Sequence, residues 1–305
     1  AVGWTRHPLH RANLRGWGRA KRWEYWCVQA PDWALSVPIS HIDYLALHQV
    51  WFVDFTTGEQ IDTGAIVPLA RGPVLPDRSG GGPARARTKM RAIDLVPNTQ
   101  GVRLVARTDR VDADVQITRP AGHESMAVVI PWSDKRFQYT EKDNTLPASG
   151  TVVVDGRDYP LPDGQTWAVL DHGRGKWPYD TTWNWASASG AVGDHVIGLQ
   201  CGGKWTVGTG MTRAVMIHPG HPLMLAVSDV ILEKHSNLLR QGAILVDPGD
   251  PGDQPSLLFL LTHEVKSGDE TVISKRLQFV RVAPDGSTTF AGWAPSASVG
   301  GAISD

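Results

Sequence analysis

Short runs of apolar or alternating residues recur along the whole chain, each bounded by Gly, Pro or Asp, and long stretches with helical periodicity are scarce. Residues 23–28, 113–119 and 124–131 are typical of these runs, which favour β-strands because successive side chains of a strand point to opposite faces. The Asp-Gly pair at 155–156 and the Gly-Gly pair at 202–203 separate neighbouring runs as two-residue hairpin turns do. Many short strands joined by such turns predict an all-β fold, either a barrel or a sandwich.

The composition restricts the class of protein and the kind of partner. A chain of 305 residues can form one large domain or two of ordinary size. Its 30 basic and 31 acidic side chains give a net charge of −1, so no overall field attracts a polyanion, and we expect no nucleic-acid partner. The two cysteines, Cys27 and Cys201, are far apart in the sequence and predict reduced thiols.

Neither a membrane segment nor a bound cofactor is expected. No apolar run of the sequence approaches the ~18 residues that a transmembrane helix needs. The start of the sequence lacks the apolar core of a signal peptide, which favours a cytoplasmic location, although a start without Met leaves secretion open. The histidines form no H-x-H or H-E-x-x-H motif, and the sequence has no G-x-S-x-G motif or phosphate-binding loop, so we expect no metal site and no cofactor.

Residues 167–190 are the most unusual stretch, because they combine indole rings with titratable side chains. Four of the thirteen tryptophans lie here, beside charged and amide groups. Flat apolar walls with a few polar groups are typical of a concave ligand site, which is the first interpretation of this stretch. The alternative is a structural tryptophan cluster held by ion pairs.

Asp171 is the predicted proton donor of such a site. A carboxyl group beside indole rings is poorly solvated, which raises its pKa and allows it to give up a proton near neutral pH. Aromatic faces would then stabilise a developing cation. If Asp171 instead pairs with Arg174 or Lys176, its pKa falls and the acid function is lost, and the sequence leaves both possibilities open.

His172 and His123 complete the candidate catalytic set. His172 follows the aspartate directly, and His123 opens a strong strand after a turn, either as a base or as a structural histidine. The charged run at 134–143 predicts a solvated hairpin. The predicted substrate-binding residues are Trp23, Tyr25, Arg174, Trp177, Tyr179, Trp183, Asn184, Trp185 and Trp205.

Four segments resemble the DUF2804 family, whose function is not established: RAKRWEYWCV at 19–28, and residues 123–150, 170–190 and 202–212. The aspartate motif followed by W-x-W is similar, more distantly, to the AttH and carotenoid 1,2-hydratase-like superfamily. That resemblance implies two lipocalin-like β-barrels packed side by side, with the site in or between them. After GTGMT the family has a Glu-Asn pair where this chain has Arg-Ala at 213–214, so the role of that glutamate is not carried over.

The residues and the resemblance together predict an all-β protein of two tandem lipocalin-like (calycin-type) antiparallel β-barrels, residues 1–160 and 161–305, the second divergent after residue 212. The first functional hypothesis is a cofactor-independent acid–base enzyme of the hydratase, isomerase or cyclase kind, which acts on a small apolar molecule. The second is a non-catalytic carrier of a lipid or another hydrophobic small molecule. The third is a glycan-active hydrolase or lyase, for which Asp171 and Asp180 are the nearest pair of carboxylates.

Overall fold

The computed structural model describes residues 3–10, 14–192, 195–203 and 205–206 and, beyond residue 213, strands alone. All regular structure in the described residues is β-strand, which confirms the all-β prediction. This part of the chain contains no helix with the length and apolarity needed to span a bilayer.

The chain divides into two compact units, Ala1–Thr181 and Thr182–Asp305. The boundary follows the strand Trp167–Lys176, whereas the sequence-based boundary at 160 lies before it. This strand hydrogen-bonds on both sides to strands of the first unit, and those bonds place it there.

The first unit consists of one antiparallel sheet of thirteen strands. The strands are β1 Gly3–Thr5, β2 Ala20–Gln29, β3 Trp33–His41, β4 Leu45–Asp54, β5 Gln60–Pro68, β6 Ala84–Thr88, β7 Arg91–Asn98, β8 Gly101–Arg107, β9 Val111–Thr118, β10 Met126–Ser133, β11 Arg136–Val154, β12 Arg157–Asp158 and β13 Trp167–Lys176.

This sheet is curled into a half-barrel, so that both of its ends contribute to one core. The strand order is β5-β4-β3-β2-β13-β11-β9-β8-β7-β6, with β10 and β12 also paired to β11, and β1 paired to β10. Ile61 of β5 and Ala84 of β6, from opposite ends, belong to the same buried cluster as Trp26 and Leu170 in the middle. We call the face that lines this core the inner face, and the opposite face the outer face.

Strand β11 changes its inward-facing positions half-way along its length. Asp143 pairs with Leu170, and Leu146 pairs with Ala168. Two residues of β11 therefore lie between these pairs, against one residue of β13, so β11 contains one additional residue at this point. This is a β-bulge, and within it Thr145 has a positive φ of 61°, which β-branched residues rarely adopt. As a result, odd-numbered side chains of β11 point inward before the bulge, and even-numbered ones point inward after it.

The described strands of the second unit pair into sheets of five, four and two strands. A second lipocalin-like barrel therefore stays a prediction. The strands are β14 Asn184–Val192, β15 His195–Gly203, β16 Ala214–Ile217, β17 Leu223–Leu225, β18 Ala243–Val246, β19 Ser256–Thr262, β20 Val265–Ser267, β21 Glu270–Val272, β22 Arg276–Val282, β23 Thr288–Trp293 and β24 Ala297–Gly300.

The two predicted hairpin turns have opposite outcomes. The Asp-Gly turn at 155–156 is confirmed, because β11 and β12 pair across it. The Gly-Gly turn at 202–203 is wrong, because both glycines lie within β15, where they pair with β14. Of the two cysteines, Cys27 is a buried free thiol, and the side chain of Cys201 lies outside the described residues.

Candidate active site

Three adjacent strands bring polar side chains together on the inner face. His172 of β13 lies directly opposite Glu24 of β2 on one side and Glu141 of β11 on the other. Directly opposed residues share a face, with Cβ atoms about 5 Å apart, so these three side chains form a line across the sheet that we call the inner row. All three are buried. Next to them on the same face lie Trp26 and Leu170 of the apolar core.

The imidazole of His172 is held at one nitrogen and open at the other. Its Nδ1 lies 2.7 Å from Oε2 of Glu24. Because a carboxylate only accepts hydrogen bonds, Nδ1 carries the proton of the neutral ring, and Nε2 is left as an acceptor. Nε2 is buried and has no hydrogen-bond partner among the described residues. An oriented imidazole with an unused nitrogen has the arrangement of a general base.

Tyr139 and His10 extend the polar cluster from His172. The rings of Tyr139 and His172 meet edge-on with centroids 5.9 Å apart, and the ring of His10 lies 5.1 Å from that of Tyr139. The Tyr139 hydroxyl is buried and has no hydrogen-bond partner in the described part of the chain. Burial raises the pKa of Tyr139, so the phenol keeps its proton and can donate it in a hydrogen bond. Burial also lowers the pKa of His10, which favours its neutral ring.

Arg174, a predicted substrate-binding residue, lies on the inner face, but the main chain uses its donors. Its Nη1 donates to the carbonyl oxygens of Trp23 at 2.6 Å and Gly173 at 2.7 Å, and its Nη2 donates to that of Pro76 at 2.7 Å. Pro76 belongs to the Gly- and Pro-rich segment 72–83, so the guanidinium fixes this segment against the sheet. Burial lowers the pKa of Arg174.

A second set of buried polar groups surrounds Glu141. Asp143 follows it on the same face, lies 2.6 Å from Nε2 of His123, and forms an ion pair with Arg119. Nη2 of Arg119 is also 3.8 Å from Oε1 of Glu141. Burial, and then the charge of Asp143, raise the pKa of Glu141 to about 7, against the opposing effects of Arg119 and two serine hydroxyls.

Adjacent positions on the same three strands face the other way. Asp171 of β13 lies opposite Tyr25 of β2 and Lys142 of β11, and we call these three residues the outer row. Lys142 forms an ion pair with Asp171, and the hydroxyl of Thr140 donates to the same carboxylate at 3.2 Å. Burial lowers the pKa of Lys142 and raises that of Tyr25. Asp171 and His172, both predicted as catalytic, therefore point to opposite faces of β13.

Three tryptophans also pack on the outer face. Trp177 meets Trp23 and Trp132 edge-on, with centroids 5.6 and 5.5 Å apart, and donates from Nε1 to Oε1 of Gln138 at 2.6 Å. Trp23 covers Gly173 so closely that a Cβ at this position would lie 2.0 Å from its Cζ2. Packing therefore requires a glycine here.

The other predicted binding residues lie apart from the inner row or in the second unit. Tyr179 is 85% exposed, and the guanidinium of Arg19 lies 3.4 Å from its ring centroid. In the second unit, Nε1 of Trp185 donates to Oε1 of Gln200 at 3.1 Å. The side chain of Asn184 lies outside the described residues. The predicted binding residues of the second unit are Trp183, Asn184, Trp185 and Trp205.

Most of the inner-face cluster was not predicted. The solvated hairpin at 134–143 is wrong for its second half, because residues 138–143 are buried. Tyr139 and Glu141 have no motif spacing, since they meet Glu24 only through the pairing of strands that are far apart in the sequence. One signal was available: Glu24 is a carboxylate inside an aromatic strand, where it needs a buried partner.

The family model described as a domain of unknown function (DUF2804) matches residues 1–226. The chain belongs to this family. The DUF2804 match spans the whole first unit and therefore both rows. No curated protein matches the chain.

Solved structures of similar fold support the distant resemblance to AttH. A protein of Nitrosomonas europaea assigned as AttH has a TM-score of 0.51 and 12% identity, over 92% of this chain and 90% of that one. Kievitone hydratase from Nectria haematococca has a TM-score of 0.51 and 9% identity, over 89% and 87%. CghA, crystallised with Sch210972, has a TM-score of 0.52 and 11% identity, over 90% and 87%. At these sequence identities the structural similarity establishes the fold alone, and the activity has to be inferred from the residues of the site.

Proposed function

We propose that this DUF2804 protein is a cofactor-independent acid–base enzyme acting at a carbon–carbon double bond of a small, largely apolar molecule, by hydration, isomerisation or cyclisation. One observation carries the proposal: a buried imidazole, His172, is oriented by Glu24 through Nδ1 and leaves Nε2 without a partner among the described residues. A buried polar atom without a partner costs about 1–3 kcal/mol, and catalysis is a common reason for retaining one.

The neighbouring groups provide the rest of an acid–base site. Nε2 of His172 takes a proton from water or from the substrate, and the Tyr139 hydroxyl donates a hydrogen bond to a substrate oxygen. The apolar core begins at Trp26 and Leu170 on the same face, so the site has a low-dielectric side that suits an apolar molecule. General acid–base catalysis by one positioned side chain contributes about 10²–10⁴-fold to a rate.

Asp171 has a different role in this proposal from the one its sequence context suggests. Its carboxylate already faces a buried cation, Lys142, as the ion-pair alternative anticipated but with another partner. The proton transfer is therefore assigned to His172. Asp180, the second carboxylate of the glycan-active hypothesis, is exposed, and no described contact joins it to Asp171.

The similar structures support the reaction class. Kievitone hydratase has the same fold and, by its name, adds water to a small molecule. CghA was crystallised with the compound Sch210972. Both are distant in sequence, so we use them to choose the assay and derive the residues from the geometry.

The test compares two adjacent residues that face opposite ways. Native mass spectrometry of protein purified from its own host identifies any retained small molecule, and this molecule and kievitone are incubated with the protein in heavy-oxygen water. We expect His172→Gln to lower kcat by about 10²–10⁴-fold, and the matched control Asp171→Asn to stay within about threefold of the parent.

Other outcomes would change the assignment. A retained molecule that the parent never converts would favour the non-catalytic carrier. Activity lost in Asp171→Asn and kept in His172→Gln would contradict the proposal and move the chemistry to the outer face. Cleavage of an oligosaccharide would favour the glycan-active alternative.

A further inference from the structure

We infer that Glu141 is a second acid–base residue of this site, facing the substrate from β11 while His172 faces it from β13, and that the molecule bound there is uncharged. The reaction role of Glu141 rests on the proposed function. The charge of the ligand follows from the charges of the cluster alone.

The register of the sheet places Glu141 beside His172. The two residues are direct cross-strand partners, and both side chains are fully buried. The strand on the other side of β11 presents the apolar Ala127 opposite Glu141, so among the described residues this pairing position brings no cation to the carboxyl group. The groups that face Glu141 from the surrounding elements are His172 of β13, Tyr139 and Asp143 of β11, Arg119 after β9, and the hydroxyls of Ser79 and Ser125.

In the described part of the chain, the other two buried carboxylates around the row are each paired with a guanidinium. The carboxylate of Asp143 is paired with Arg119, and that of Glu24 lies 3.7 Å from Nη2 of Arg174. These two negative charges therefore face two positive ones, of which Arg174 is buried and Arg119 is 37% exposed. A proton on Glu141 completes a neutral cluster, and ionised Glu141 adds one unmatched charge to a buried place, which is unfavourable.

The pKa of Glu141 agrees with this count. Burial and the charge of Asp143 raise it to about 7, so the carboxyl group holds its proton well above the usual range of glutamate. A group with a pKa near the working pH can both give and regain a proton, as an acid–base residue must.

Hydration illustrates how the two residues would share the work. The Glu141 carboxyl proton is transferred to one carbon of the double bond, whose electron pair forms the new C–H bond. The oxygen of a water molecule bonds to the neighbouring carbon, and the proton lost by that water goes to Nε2 of His172. Transfer of this proton from His172 to Glu141 restores both groups, so the sum is the addition of one water.

The same count of charges indicates that the ligand is uncharged. A carboxylate or ammonium ligand would bring an unmatched charge against a neutral, buried cluster, and the next cation on this face, Arg22, is already paired with Asp43 at 2.8 Å. An uncharged molecule with a hydroxyl or carbonyl group can form hydrogen bonds with the Tyr139 hydroxyl as donor or with Nε2 of His172 as acceptor. Its binding adds no unmatched charge to the cluster.

Binding of three probes of similar shape tests the charge of the ligand. Naphthol, naphthoate and naphthylmethylammonium are titrated by calorimetry at about pH 6, where only naphthol is neutral. We expect naphthol to bind at least about tenfold more tightly than either ion. In the matched control Asp143→Asn, which removes one negative charge, naphthoate alone should gain affinity. Equal binding of naphthol and naphthoate to the parent protein would overturn the inference about charge.

Infrared difference spectroscopy tests Glu141 itself, without any turnover. We expect a protonated-carboxyl band that disappears as the pH rises through about 7, that is absent in Glu141→Gln, and that remains in Asp171→Asn. A band that persists in Glu141→Gln, or is absent from the parent protein, would overturn the assignment. If both tests succeed and no substrate is converted, the proposed function fails while the neutral ligand and the titrating Glu141 stand.

Discussion

The inner and outer rows occupy adjacent positions on the same three strands, yet their polar atoms are satisfied to different extents. In the outer row the amine of Lys142 and the carboxylate of Asp171 neutralise each other. In the inner row Nε2 of His172 has no hydrogen-bond partner within the described chain, and neither has the hydroxyl of nearby Tyr139. A satisfied buried row contributes to the fold, whereas a row with unused donors and acceptors lowers stability and is typical of a functional site.

The largest expected effect on folding is at Gly173, on the outer face. Gly173→Ala places a Cβ 2.0 Å from Cζ2 of Trp23, and this rigid indole packs edge-on against Trp177. We expect a loss of about 3 kcal/mol in the free energy of unfolding, measured by urea denaturation. The matched control is Gly64→Ala in β5, where the nearest atom is 3.8 Å away and the loss should be small. Equal losses in both variants would show that the close contact is not the cause.

The next largest expected effect is the loss of stability when the ion pair of the outer row is broken. Lys142→Met leaves the carboxylate of Asp171 without its cation, and because that side chain is 18% exposed we expect a loss of about 2 kcal/mol. The double variant Lys142→Met/Asp171→Leu removes both charges and should recover most of this loss. A double-mutant cycle in urea measures the coupling, and simple additivity would contradict the pairing.

The smallest effect is a pH dependence that belongs to the inner row. The pKa of Glu141 rises from 4.5 to about 7 on folding, so the folded state binds this proton more tightly. The stability gained is fully present below pH 4.5 and is lost as the pH rises through about 7. Between about pH 5 and 7 we expect the free energy of unfolding to fall by about 1 kcal/mol per pH unit from this group.

The control for this pH dependence is Glu141→Gln, which should flatten the slope over the same range. The double variant Lys142→Met/Asp171→Leu, which removes both charges of the outer row, should leave the slope unchanged. The same slope in the parent protein and in Glu141→Gln would assign the proton to another group.

Much of the fold could be predicted from local sequence, because strands and turns depend on neighbouring residues. The β-strand at 113–119 and the Asp-Gly turn at 155–156 are present as predicted. The Gly-Gly turn failed because two glycines also fit within a strand, where pairing with β14 decides the conformation. The family resemblance was confirmed because its motifs are long and all lie within residues 1–226, which the family model matches.

The site was harder to predict, because it depends on register between distant strands. His172 was a candidate from the sequence, but Glu24, its partner, lies 148 residues away in the sequence. That Asp171 and His172 face opposite ways follows from strand alternation alone and could have been predicted. The burial of Tyr139 and Glu141 could not be predicted in this way. The bulge in β11 shifts the inward-facing positions from odd to even residue numbers, so no single alternation of polar and apolar residues runs along the whole strand.

The bulge also makes the chemistry sensitive to chain length. If one residue were inserted beside Thr145 while the bulge and the second half of β11 kept their pairing, every side chain before it would turn over, and Lys142 would come to lie opposite His172. An ammonium group would then stand where a carboxyl now faces the imidazole. Insertions of one residue near residue 145 should therefore be rare among active relatives, even where substitutions at the same positions are tolerated.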